Sequence, residues 1–121
     1  MININIDIDD FIDQLVITNQ QLTGNSTSKT NIDKVKGCFA SYHYYDTVQQ
    51  HIASIVQGLI KNHCFTDGNK RTALVALDTL CIINKQKRLD DNQIDQIIVD
   101  IASHKYTVDQ VAKLLFPSTV E

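Results

Sequence analysis

His63-Cys64-Phe65-Thr66-Asp67-Gly68-Asn69-Lys70-Arg71 lies between two stretches of helical periodicity, and the reading of these nine residues decides the fold. Upstream, Ile52, Ile55, Val56, Leu59 and Ile60 fall at i, i+3, i+4, i+7 and i+8, one apolar stripe on a helix expected from about Asp46 to Asn62. Downstream, Ala73, Leu74, Val75, Ala76, Leu77, Leu80, Cys81 and Ile82 are apolar nearly all round, the pattern of a helix buried mid-domain and reaching about Asn84. Helix, polar loop, buried helix: the centre of the chain is helical.

Further out the same period recurs. Phe11, Ile12, Leu15, Val16 and Leu22 predict a helix entered at Asp9 or Asp10. Ile2, Ile4, Ile6 and Ile8 alternate with polar residues and predict a short strand, although Asp7 and Asp9 suit a helix entry equally well. Residues 24–30 are turn-rich, and 31–46 are compatible with a short hairpin or an irregular loop. Asp90 or Asp91 caps a helix with Ile94, Ile97, Ile98 and Ile101 inward. Thr107 with Gln110 forms a capping box for a last helix through Val111, Leu114 and Leu115, stopped at Pro117. With no repeat and no linker, residues 1–121 are expected to be one mainly α domain.

The bounds exclude several classes. A formal net charge of −3 argues against direct binding of nucleic acid, and leaves Lys85-Gln86-Lys87-Arg88 a weak candidate for it. Three cysteines without a C-x-x-C pair read as reduced thiols in a cytoplasmic protein. The N-terminus lacks a basic n-region and an apolar h-region, and no apolar run approaches the ~20 residues of a membrane span.

The central loop carries the chemistry. A helix beginning near Asn69 presents unpaired N–H groups and the positive end of its dipole, which together attract anions. Gly68 lets backbone approach a ligand, and Lys70 and Arg71 add cations, the latter with a fork matched to phosphate oxygens. Asp67 can hold Mg²⁺ against phosphates, and His63 can take a proton from a hydroxyl near neutral pH. These are the parts of phosphoryl or nucleotidyl transfer. Singly each has a plainer reading: His63 or Asp67 as a helix cap, Lys70 and Arg71 as solvated charges, Cys64 as packing rather than a nucleophile.

His-x-Phe-x-Asp-Gly-Asn-Lys-Arg resembles the signature of the Fic/Doc family. The resemblance implies a compact helical bundle with a short N-terminal strand or flap hairpin. It also implies His63 as general base, Asp67 as the Mg²⁺ ligand, and Gly68, Asn69 and Arg71 at the phosphates of ATP, with Phe65 anchoring the loop. Lys36 to Asp46, with Tyr44 and Tyr45, stands where the family keeps its flap, and reads equally well as an apolar loop packed on the core.

Two departures point to the Doc branch. Lys70 follows the Asn where AMP-transferring Fic proteins commonly have Gly, and Leu74 replaces their second Arg. Doc toxins often have Pro at the position of Cys64 and Ala at that of Gly68. A Doc-like chain is expected to transfer the γ-phosphate of ATP to a protein hydroxyl, by resemblance on elongation factor Tu, with translation arrested. The alternatives are AMP transfer with the same base and metal ligand, and a catalytically silent binding module. Self-inhibited relatives carry a Ser/Thr-x-x-x-Glu helix, but Glu121 is the single glutamate and Pro117 stands four before it. The resemblance therefore implies a separate antitoxin protein as the restraint.

Overall fold

The computed structural model describes residues 4–24 and 29–117. Its helices are α1 (Ile8–Leu22), α2 (Ile32–Cys38), α3 (Val48–Lys61), α4 (Asn69–Ile83), α5 (Asp91–Ser103) and α6 (Val108–Leu115), with a 3₁₀ turn at Tyr42–Tyr44 between α2 and α3. The mainly α bundle expected from the periodicity is the observed architecture. Among the described residues no helix is long and apolar enough to cross a membrane.

Caps set most boundaries. The Asp7 carboxylate accepts from the Asp10 amide and starts α1. Thr47 and Gln50 form a reciprocal capping box on α3, as Thr107 and Gln110 do on α6. Asp90 caps α5 without a side-chain bond.

Helix α3 is the hub. His51, Ile52, Ala53, Ile55, Val56, Leu59 and Ile60 are buried on it, a wider face than one stripe. Around it pack α2, the 3₁₀ turn, α4, α5 and α6, while α1 leans on α4. Gly58 admits α2 closely: a Cβ there would stand 3.0 Å from the Cys38 sulfur. His51 is fully buried, bonded through Nε2 to the Tyr45 carbonyl at 2.8 Å. Arg88 leaves the basic stretch to bind Asp78 of α4 and Asp91 of α5, and Asp78 holds its guanidinium above its ordinary pKa. That arginine joins two helices rather than facing outward.

Two expectations are corrected. Residues 4–7 form no strand, because Asp7 caps α1 and ends the alternation; Ile4 is buried and the Asn5 amide donates to Asn84 Oδ1 at 2.7 Å. Residues 2 and 3 lie outside the described residues. No hairpin forms in residues 31–46 either. Asn31 caps the seven-residue α2, whose Val35 and Cys38 turn inward, and Phe39 follows them into the core.

Candidate active site

The nine-residue segment spans the corner between the two most buried helices. Asn62 ends α3, and His63 turns the chain in the left-handed region with φ 50, exposed to solvent. Cys64 and Phe65 then point into the core at 0% and 3% exposure, anchoring the corner. Thr66 and Asp67 return to the surface. Gly68 caps α4 at φ 75, also left-handed, where a side chain is strained.

Bonds from three directions fix this loop. From α4, Asn69 Oδ1 accepts from the Phe65 amide at 3.0 Å, and its Nδ2 donates to the Phe65 carbonyl at 2.8 Å. From α1, the fully buried Asn19 donates through Nδ2 to the Asp67 carbonyl at 2.7 Å and to Thr72 Oγ1 at 3.1 Å. From the segment before α2, the Asn31 amide donates to the Cys64 carbonyl at 2.7 Å. There the Thr66 amide donates to the Lys29 carbonyl at 3.0 Å, an antiparallel bridge centred on Thr30 and Phe65. The chain that pairs with the loop is thus 29–31; Lys36 to Asp46 hold the end of α2 and the 3₁₀ turn.

Gly68 is required twice over. Besides its φ, a Cβ at that position would lie 2.8 Å from Thr23 Cγ2 and 3.0 Å from Asn19 Nδ2. The close approach of α1 therefore needs a glycine as much as the turn does. The Gly68 amide donates to Asp67 Oδ1 at 2.8 Å, which orients the carboxylate at the lip of the turn.

A cleft of about 810 Å³ opens over this corner, within the range of small-ligand sites. His63, Asp67, Gly68, Asn69, Lys70 and Arg71 all line it. The sequence did not reveal its opposite wall, the end of α5 with Val99, Ala102 and Ser103. Lys61 fixes that wall, its ammonium accepted by the carbonyls of Ile101 at 3.1 Å and His104 at 2.6 Å. Asn19 was missed too, though a polar residue in phase with Phe11, Ile12 and Leu15 is a readable sign of a buried bond.

The donor set suits Mg²⁺ with a nucleotide. Asp67 is the one carboxylate among the described residues of the cleft, and those residues hold no group of three His, Cys, Asp or Glu side chains able to cage a metal. A single carboxylate with phosphate oxygens and water is how Mg²⁺ is commonly held beside ATP. The amides of Asn69, Lys70 and Arg71 precede the first bond of α4, which Thr72 donates to the Gly68 carbonyl at 2.9 Å. Since both polar atoms of the Asn69 side chain are engaged with Phe65, its own contribution to an anion is that amide.

Cys64 has a neighbour behind the loop. Its sulfur lies 3.5 Å from that of Cys38, both buried. The hydrogen bond between the two sulfurs lowers the Cys64 pKa, with the Lys34 ammonium adding to the effect against burial; the Cys38 thiol is pushed up by the same contact.

A model of the Fic/DOC family matches residues 11–81, from the first core residue of α1 to the last of α4. Proteins of this family are typically transferases acting on proteins, and they use ATP, commonly with Mg²⁺. No curated protein matches the chain. The match covers more than half of the sequence and takes in the whole cleft loop with its α1 brace, so the chain belongs to the Fic/Doc family.

Proposed function

We propose that this chain is a Doc-type toxin that transfers the γ-phosphate of ATP to a hydroxyl of a protein, by resemblance elongation factor Tu, and so arrests translation. The observation that carries the reading is the meeting of His63, Asp67, Gly68, Asn69, Lys70 and Arg71 in one cleft. An exposed imidazole at the end of α3 can receive the acceptor's hydroxyl proton on a ring nitrogen. The freed oxygen attacks the γ-phosphorus, the bond to the bridging oxygen breaks, and ADP leaves. Arg71, Lys70 and the first amides of α4 oppose the charge of the phosphates, and Asp67 would hold Mg²⁺. Bound there, Mg²⁺ would supply charge neutralisation between the phosphates.

Choosing γ-phosphate over AMP rests on two positions. Lys70 puts a cation into the cleft, while Leu74 is half-buried against the core and offers no second guanidinium. ATP labelled separately at the α- and γ-positions tests the choice, with label expected on protein from the γ-position; α-label on protein would overturn it in favour of AMP transfer. A cognate antitoxin is proposed as the restraint, since His63, Asp67, Lys70 and Arg71 all stand exposed for a partner to cover. Growth arrest on expression should vanish in His63→Ala; arrest that persists would instead favour a silent binding module.

A further inference from the structure

The Cys38–Cys64 contact has no part in phosphate chemistry, yet it grips the loop on both sides of His63. Cys38 Sγ lies 3.5 Å from Cys64 Sγ and accepts from Asn62 Nδ2 at 3.6 Å, and Asn62 and Cys64 flank His63. The Cys38 thiol also donates to the Lys34 carbonyl at 3.3 Å, which ties it to α2. Cys38 forms part of the wall of a second cleft, about 340 Å³, with Ser41, Gln57 and Asn62, and this gives a small oxidant an approach. Cys38 packs on Gly58, and Cys64 is fully buried behind it.

We infer that Cys38 and Cys64 are a reversible disulfide pair, closed by a peroxide, whose closure displaces His63 within the cleft. A disulfide holds its sulfurs at ~2.05 Å, so closure shortens the gap between them by about 1.5 Å, a change shared among the two side chains, the loop and α2. The residue between the two tethered positions is His63, and it moves with them.

The redox step balances. One sulfur of the pair, as thiolate, attacks a peroxide oxygen; the O–O bond breaks, hydroxide leaves and is protonated to water, and a sulfenic acid remains. The second sulfur attacks the first, the S–S bond forms, the S–O bond breaks and a second water departs. Two electrons have passed to the peroxide, and exchange with a small dithiol returns them. Cys81, raised to about 11 chiefly by burial, lies on α4 and takes no part. The consequence for catalysis, though not the bond itself, rests on the function proposed above.

The folded full chain is treated with hydrogen peroxide, then alkylated and peptide-mapped without reduction. A linked Cys38–Cys64 peptide with Cys81 alkylated is expected. The His63 ring resonances, assigned against His63→Gln, should shift on oxidation and return with dithiothreitol. Phosphate transfer should fall by roughly 10-fold or more, as ångström-scale misplacement of a catalytic group does. Cys38→Ser, or Cys64→Ser if the first does not fold, should abolish both the linkage and the shift. Three alkylated thiols after peroxide would overturn the inference, as would a linkage that leaves the His63 resonances unmoved. A linked pair with shifted resonances in a protein that never transfers phosphate supports the inference and counts against the proposed function alone.

Discussion

The side chain of Asn69 and the backbone of Phe65 exchange two hydrogen bonds, amide to Oδ1 at 3.0 Å and Nδ2 to carbonyl at 2.8 Å. The first residue of α4 thereby sets the shape of the loop before it, and Phe65 is locked into the core with its backbone satisfied.

Replacing Asn69 by Ala should cost about 2 kcal/mol, since two partly buried bonds are lost and the Phe65 groups are left without them. Asn69→Asp keeps the acceptor and should cost less. Urea denaturation of the three proteins checks the order, and equal losses for both variants would contradict it.

Gly68→Ala should destabilise by about 1–2 kcal/mol from the left-handed backbone alone, with a further cost from the 2.8 Å contact to Thr23 Cγ2. Thr23→Ser removes that methyl while keeping a hydroxyl to bond the Asn19 carbonyl, so the double variant should recover part of the loss. Additive losses in the double-mutant cycle would show that the methyl contact is not the cause.

His63 also sits at positive φ, without glycine's freedom. His63→Gly should leave stability unchanged or raise it by up to about 1 kcal/mol, while transfer falls on the order of 10²–10⁴-fold. Denaturation midpoint and initial rate, measured on one preparation, separate the two effects. A large stability loss would mean that His63 serves the fold rather than the reaction.

Cys81 gives a pH signature. Burial first, then the Asp78 carboxylate, raises its thiol from 9.0 to about 11. The folded state keeps the proton longer than the unfolded chain does, so this contribution is complete below the ordinary thiol value and is lost as pH climbs toward about 11. Denaturation midpoints should decline over that window, and Cys81→Ala should flatten the decline while the part due to Cys38 persists. An unchanged slope in the variant would remove Cys81 as its source.

Where a long apolar period or a cap was present, the fold was legible. The helices read as 46–62 and 69–84 occupy Val48–Lys61 and Asn69–Ile83, and Thr107 with Gln110 caps the last one as its spacing required. Helix α2 leaves little trace in the sequence because its seven residues hold only Val35 and Cys38 as inward anchors, and its stability comes from contact with α3. The isoleucine alternation misled for a related reason: a strand needs a partner, and Ile4 found a place against helices instead. In the cleft, the contiguous residues were readable from their chemistry. The α5 wall was not, and Asn19 was legible only as a polar residue on the buried face of α1, since its partner Asp67 lies across the fold.

Among the described residues, α1, α2, α5 and α6 each carry an aspartate in their first turn, which suits the positive end of a helix dipole. Helix α4 does the opposite: it opens with Lys70 and Arg71 and has no acidic residue there. Two cations facing like polarity leave that end of the helix electrostatically frustrated, by about 0.3–1 kcal/mol for each charge at low salt. An anion seated on the turn is attracted by the helix end and by both cations, and so offsets their repulsion. Anion binding in the cleft and the stability of α4 are therefore linked, and each raises the other.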